Sequence, residues 1–283
     1  MLQQGVDFFT LDFWREILSQ VFFPLLEDID LAIQTPSKRS EAELSFYLQT
    51  IQSVIQGFND FLLRNLAQLC FIVPVYTDVL VLFVSQTQSR KIIQVLIVCF
   101  QQFIQKVSAH ISAAMWHEII ETFCLCFTSS RPLSLMEHVD SFVALHEMKC
   151  SDASEGRKES FRKRVGDNEA ALESCLSKCL VQLFIVNTLK DIAESSYEKL
   201  SMADCSRMLL TLQQSYDFSK EITGNFGNCV KMQQVDQMAG MQVFRGLVSQ
   251  EYRSLAAVLT LKFLIYFEPK SGQPKDNSNS LFS

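Results

Sequence analysis

Residues 91–107 read KIIQVLIVCFQQFIQKV, and within them Ile92, Ile93, Leu96, Ile97, Phe100, Phe103, Ile104 and Val107 are apolar. Steps of three and four residues put these side chains on one face of an α-helix and leave the glutamines to the other. The same period continues on both sides. Upstream, Phe13, Trp14, Ile17, Leu18, Val21 and Phe22 form a stripe, with Thr10 as N-cap and Pro24 ending or kinking the helix. A loop is expected at 35–40. A longer stripe from about Glu41 to Leu69 follows, and then Pro74 opens a short helix over Val75–Ser85. Downstream, Ser112 caps a helix carrying Trp116, Ile119, Ile120, Phe123 and Phe127, which Arg131-Pro132 stops.

The two tryptophans reveal an internal echo. TLDFWREILSQVFF (10–23) and SAAMWHEIIETFCLCF (112–127) share a capping hydroxyl, a Trp-x-Glu-Ile core and phenylalanines on the next turns. Trp14 and Trp116 stand 102 residues apart, which corresponds to two or three helix hairpins of HEAT or armadillo length. The expected fold is therefore all-α, a HEAT/armadillo-like superhelical array of helix hairpins in two lobes.

Composition agrees. The 283 residues are 48% hydrophobic and include 23 Phe but only 9 Gly and 6 Pro, too few breakers for a sandwich or a Rossmann sheet. A net charge of −6 supplies no overall positive field for nucleic acid. Nine cysteines, odd in number and set mostly inside apolar helices, favour a reducing, cytoplasmic setting. Met1-Leu2-Gln3-Gln4-Gly5 does not resemble a signal peptide, and the greasy stretch Leu69–Val84 is short for a bilayer and broken by Pro74, Thr77 and Asp78. Any membrane contact is expected to be peripheral.

The texture changes at MKCSDASEGRKESFRKRVGDNEA, which has six basic residues, five acidic residues and two glycines. That divides the chain into an N-terminal helical-repeat lobe (1–147), a charged flexible linker (148–170), a C-terminal helical-repeat lobe (171–267) and a disordered tail (268–283). Beyond the linker, Leu172, Leu176, Leu180, Leu183, Val186, Leu189 and Ile192 resume the period. Ser201 with Asp204 forms a capping-box variant, Asp217-Phe218 begins a short helical turn that Gly224 ends, and a last stripe runs from Met241 to about Phe267.

Chemistry is hard to find. His117-Glu118 resembles half of a metalloprotease helix, but position 121 is Glu, so no second imidazole can share a zinc ion. Cys124 with Cys126, and Cys175 with Cys179, are the close thiol pairs and read as small buried hydrophobes. Neither a nucleophile elbow nor a glycine-rich nucleotide loop is present in the sequence. No catalytic residue, metal or cofactor is expected. The one basic cluster is Arg157, Lys158, Arg162, Lys163 and Arg164 around Ser160; it suits an anionic lipid head group, or control by phosphorylation of Ser160, against the plainer reading of a solvated linker.

Residues 176–225 resemble the C-terminal helical region of the large, brefeldin-A-inhibited (BIG-type) Arf guanine-nucleotide exchange factors. Val181-Gln182-Leu183, then Met208-Leu209-Leu210 with Leu212, then Asp217-Phe218-Ser219-Lys220 carry the likeness, and the stretch from Asp78 to Arg131-Pro132 is similar to the repeats upstream in that family. The resemblance implies peripheral Golgi proteins that load GTP onto Arf. The family's exchange domain, with its catalytic glutamate, has no counterpart in these residues, so the chain is expected not to be an enzyme. It would be a C-terminal regulatory or localising segment, a short paralogue or a truncated reading of the gene. The expected partners are proteins, among them membrane-bound small GTPases of the Arf or Rab type at the trans-Golgi. An unrelated helical-repeat adaptor in protein transport is the alternative, and a helical enzyme with a dispersed site is a third reading.

Overall fold

The computed structural model describes residues 10–34, 40–147 and 155–267, the last span with side chains from residue 159. Among the described residues there are no strands. The helices are α1 (Leu11–Ile17), α2 (Phe23–Gln34), α3 (Glu41–Arg64), α4 (Leu66–Leu69), α5 (Val73–Gln86), α6 (Arg90–Val107), α7 (Ala113–Ser129), α8 (Leu135–Glu147), α9 (Glu155–Ser196), α10 (Met202–Thr223), α11 (Phe226–Ala239) and α12 (Val243–Phe267). The expected all-α array is what forms.

The helix starts follow capping chemistry. Thr10, Ser89 and Ser112 each accept from a backbone N–H one turn on, and Ser40–Glu43 and Ser201–Asp204 close reciprocal capping boxes. The Trp14 and Trp116 helices thus share a cap geometry, and both indoles are buried. Pro24 does not end its helix. The chain widens to a π-helical turn at Leu18–Phe22 and continues as α2, because a wider turn absorbs the missing N–H and the ring's clash with the carbonyl four residues back. Asp217-Phe218 likewise falls inside an unbroken α10, whose Ser215 and Ser219 are buried.

Residues 155–170, expected as linker, are helical and open the 42-residue α9. Glu, Arg, Lys and Ala are good helix formers. Phe161 and Val165 recur at four-residue spacing, and the buried Asn168 donates to the His138 carbonyl of α8 at 3.2 Å. Residues 35–39 of the expected loop, 148–154 of the expected linker and the tail 268–283 lie outside the described residues.

Two apolar cores result, and the expected lobe boundary does not separate them. The larger joins α1–α7 to the second half of α9, the start of α10 and the second half of α12. The smaller joins α8, Leu172–Cys179 of α9, α11 and the start of α12. α9 belongs to both. Leu66–Gln86 is long and apolar enough, by length and composition, to cross a membrane, yet α5 packs within the larger core against α2, α6 and α7. There Tyr76 donates to Asn59 at 2.7 Å, and Asn59 donates to the Cys99 carbonyl, tying α3, α5 and α6 together. Gly240, with φ +67, ends α11 in the left-handed region, and Asp236 accepts from the Val243 and Phe244 N–H groups to start α12.

Candidate interaction surfaces

Four groups of side chains among the described residues bear on function. At the α7–α10 seam, His117 Nδ1 lies 2.6 Å from Asp204 Oδ1, and Arg207 meets Glu121 at 3.0 Å. Asp204 is buried, and its other oxygen accepts from the Ser201 N–H and hydroxyl. Burial works to raise the Asp204 carboxyl, but the hydrogen bonds from Ser201 and His117 outweigh it and hold the pKa below the ordinary value. A Ser, a His and an Asp therefore meet, but in an order that does not make a hydrolytic triad. The hydroxyl is bonded to the carboxylate, so the imidazole cannot take its proton. The cluster is a clamp between two helices, built on the capping box.

The cysteines are equally settled. Cys124, Cys126, Cys175 and Cys179 are free thiols, and burial raises all four, Cys126 and Cys179 to about 12. Buried thiols held protonated are poor nucleophiles and poor metal ligands. Among the described residues no three His, Cys, Asp or Glu side chains converge as a metal site.

A polar ladder runs through the α9–α10–α12 seam. Gln250 donates to Gln182 Oε1 at 2.8 Å and to Ser215 at 3.1 Å, Ser254 donates to Ser215 at 2.8 Å, and Gln182 donates to the Phe127 carbonyl at 3.4 Å. All four side chains are buried. Gln182, the centre of the Val-Gln-Leu motif, is therefore a register pin. Gln250, Ser215 and Ser254 were missed in the sequence. The available signal is a polar residue at a core position, repeated at four-residue spacing, as in Gln250/Ser254 and Ser215/Ser219.

The basic cluster sits on the first turns of α9, with Arg157 and Lys158 in the helix and Ser160, Arg162, Lys163 and Arg164 exposed. Among the described residues, Arg162, Lys163 and Arg164 form no ion pair. The cluster thus lies on a helix rather than on the expected flexible segment. Among the described residues, six exposed large apolar side chains lie on the outer face of α12, and half-buried Leu44, Leu48 and Val95 with exposed Val98 line part of a groove of about 530 Å³ between α3 and α6.

A family model described as the BIG2 C-terminal domain matches residues 180–282. The match begins at the ladder in α9 and takes in α10, α11 and α12, about a third of the chain. No curated protein matches the chain, and no solved structure does either. Over residues 180–282 this chain is similar to the C-terminal domain of BIG-type proteins.

Proposed function

We propose that this chain is a non-catalytic regulatory or scaffold region of a large, BIG-type Arf guanine-nucleotide exchange factor, acting in vesicle trafficking at the Golgi. The observation that carries the reading is the match over residues 180–282, which includes the Val181-Gln182-Leu183 and Asp217–Lys220 motifs. The chemistry of the polar clusters supports it: the His, Asp, Gln and Ser groups that meet are spent on joining helices. What remains available to a partner is helix surface, as in repeat scaffolds. Its occupants would be membrane-bound small GTPases of the Arf or Rab type, or other parts of the exchange factor. The exposed cations of α9 would add peripheral contact with anionic lipid.

Co-sedimentation of the purified chain with liposomes bearing GTP-loaded Arf, against GDP-loaded and Arf-free controls, tests this. Recruitment that requires GTP-Arf supports a regulatory region that senses the product of exchange. Equal recruitment in all three, or none, removes Arf as the partner.

A further inference from the structure

Residues 157–164 of α9 read RKESFRKR, with Ser160 at the centre of five cations. Ser160, Arg162, Lys163 and Arg164 are exposed, while Phe161 and Val165 are half-buried. On a helix the neighbours of position 160 are those three and four residues away, which makes Arg157, Lys163 and Arg164 its flanking positions. Among the described residues, the nearby acids Glu159 and Asp167 form no ion pair with Arg162, Lys163 or Arg164. The first side-chain hydrogen bond from the described residues of α9 to another helix is that of Asn168, about two turns beyond Ser160. The turns carrying Ser160 thus stand ahead of the docked part of α9, and helix ends of this kind open at little cost.

These features match what a basophilic serine/threonine kinase reads. Its acidic groove selects Arg or Lys on either side of the acceptor, and an apolar pocket takes the residue after the serine, here Phe161. We infer that Ser160 is a phosphorylation site for such a kinase, and that its phosphate switches off the cationic face of α9. In the transfer, the Ser160 oxygen attacks the γ-phosphorus of Mg-ATP. The new O–P bond forms as the bond from that phosphorus to the β,γ-bridging oxygen breaks, ADP leaves, and the hydroxyl proton passes to the kinase's carboxylate base. The product carries about −1.5 to −2 charges at neutral pH and lies one turn ahead of Lys163 and Arg164. An anion N-terminal to a cation at this spacing suits a helix, so the phosphate cancels the face without melting α9. Each cation near an anionic membrane strengthens binding by a factor of about five, and cancelling two therefore weakens it by about 30-fold. The modification stands on these residues alone, whereas its effect on attachment rests on the anionic-lipid contact proposed above.

The full chain, incubated with Mg-ATP and the catalytic domain of protein kinase C, should gain phosphate that peptide mass spectrometry places at Ser160. Ser160→Ala should lose most of the incorporation, and Arg157→Ala combined with Arg162→Ala should slow it several-fold. Co-sedimentation with phosphatidylcholine vesicles containing about a third phosphatidylserine should weaken by about 30-fold on phosphorylation. Ser160→Ala taken through the same treatment should bind as before, and circular dichroism should be unchanged by the phosphate. An absence of phosphate at Ser160, in a mixture that phosphorylates a reference peptide, overturns the site. Phosphate at Ser160 that leaves vesicle binding unchanged overturns the switch alone. An unmodified chain that binds anionic vesicles no better than neutral ones removes the lipid contact and the switch with it, while recruitment by GTP-Arf is decided by its own controls.

Discussion

The centre of the larger core and the α9–α10–α12 seam are both buried, and they are built on opposite principles. In the first, Phe100 touches Phe103, Phe123 and Phe184, the rings meeting mostly edge to face at 5.6–6.4 Å, with little polar atom among them. In the second, two glutamines and two serines share hydrogen bonds where apolar side chains would otherwise stand. Aromatic packing contributes magnitude and tolerates small sliding. A hydrogen-bonded ladder contributes less energy but accepts only one register, since a shift of one residue leaves buried amides unpaired. The chain uses bulk where helices need only cohere, and polarity where long neighbours could slide past one another.

Phe123→Ala applies the harshest test to that contrast. The ring is fully buried against Phe100 and Phe184, so urea denaturation should show a loss of about 3–5 kcal/mol. A loss as small as that of a surface substitution would contradict the assignment of the core. Gln250→Leu comes next, at about 2–3 kcal/mol, because Gln182 and Ser215 lose their shared donor. Adding Gln182→Met should return the protein to within about 1 kcal/mol of the parent, because the ladder is then removed rather than broken. The Gln250 carbonyl oxygen already lacks a hydrogen-bond partner, which favours that recovery. If the single change is neutral and the double costly, the seam is held by packing instead.

Asp204→Ala should cost about 1–2 kcal/mol near neutral pH, through the capping box and the link to His117. The folded pKa of Asp204 is lowered, so the contribution is present above the ordinary carboxylate value of about 4 and is lost as pH falls through it toward the folded value. Parent and variant stabilities measured from pH 7 down to pH 3 should therefore converge. A gap that stays constant would assign the loss to packing alone. The smallest effect, about 0.5–1 kcal/mol, is expected for Lys199→Met. Its ammonium donates to the carbonyls of Ser108, Ala109 and Ile111 at 2.7–3.3 Å and so closes the C-terminal end of α6 from a distant part of the chain.

Much of the helical pattern was legible because each helix carries its own period and cap. Thr10, Ser112 and Ser201 announce their helices three residues ahead of the groups they bond. Residues 155–170 misled because local polarity cannot report that one buried amide, Asn168, and a few apolar residues are enough to dock a helix on α8. Pro24 reads as ending or kinking its helix, and that it does not end it depends on a π-helical turn that leaves no mark in composition. Of the polar clusters, Ser201–Asp204 could be read as a cap, but its bond to His117 joins residues 87 apart and depends on α7 lying beside α10. The apolar strip of α12 was visible as periodicity. Only the packing of α9 and α10 against the other side tells which part of that stripe faces outward.

α9 has a mechanical consequence as well. Its 42 residues span about 63 Å, and both cores grip it along most of that length. Its cation-bearing turns and Asn187, which Arg253 of α12 meets, are held roughly 36 Å apart by a rod braced on several sides. The separation is therefore a fixed gauge. Whatever is attached at one end is kept at a set distance from whatever is attached at the other, and shortening α9 by whole turns would change that reach in steps of about 5.4 Å.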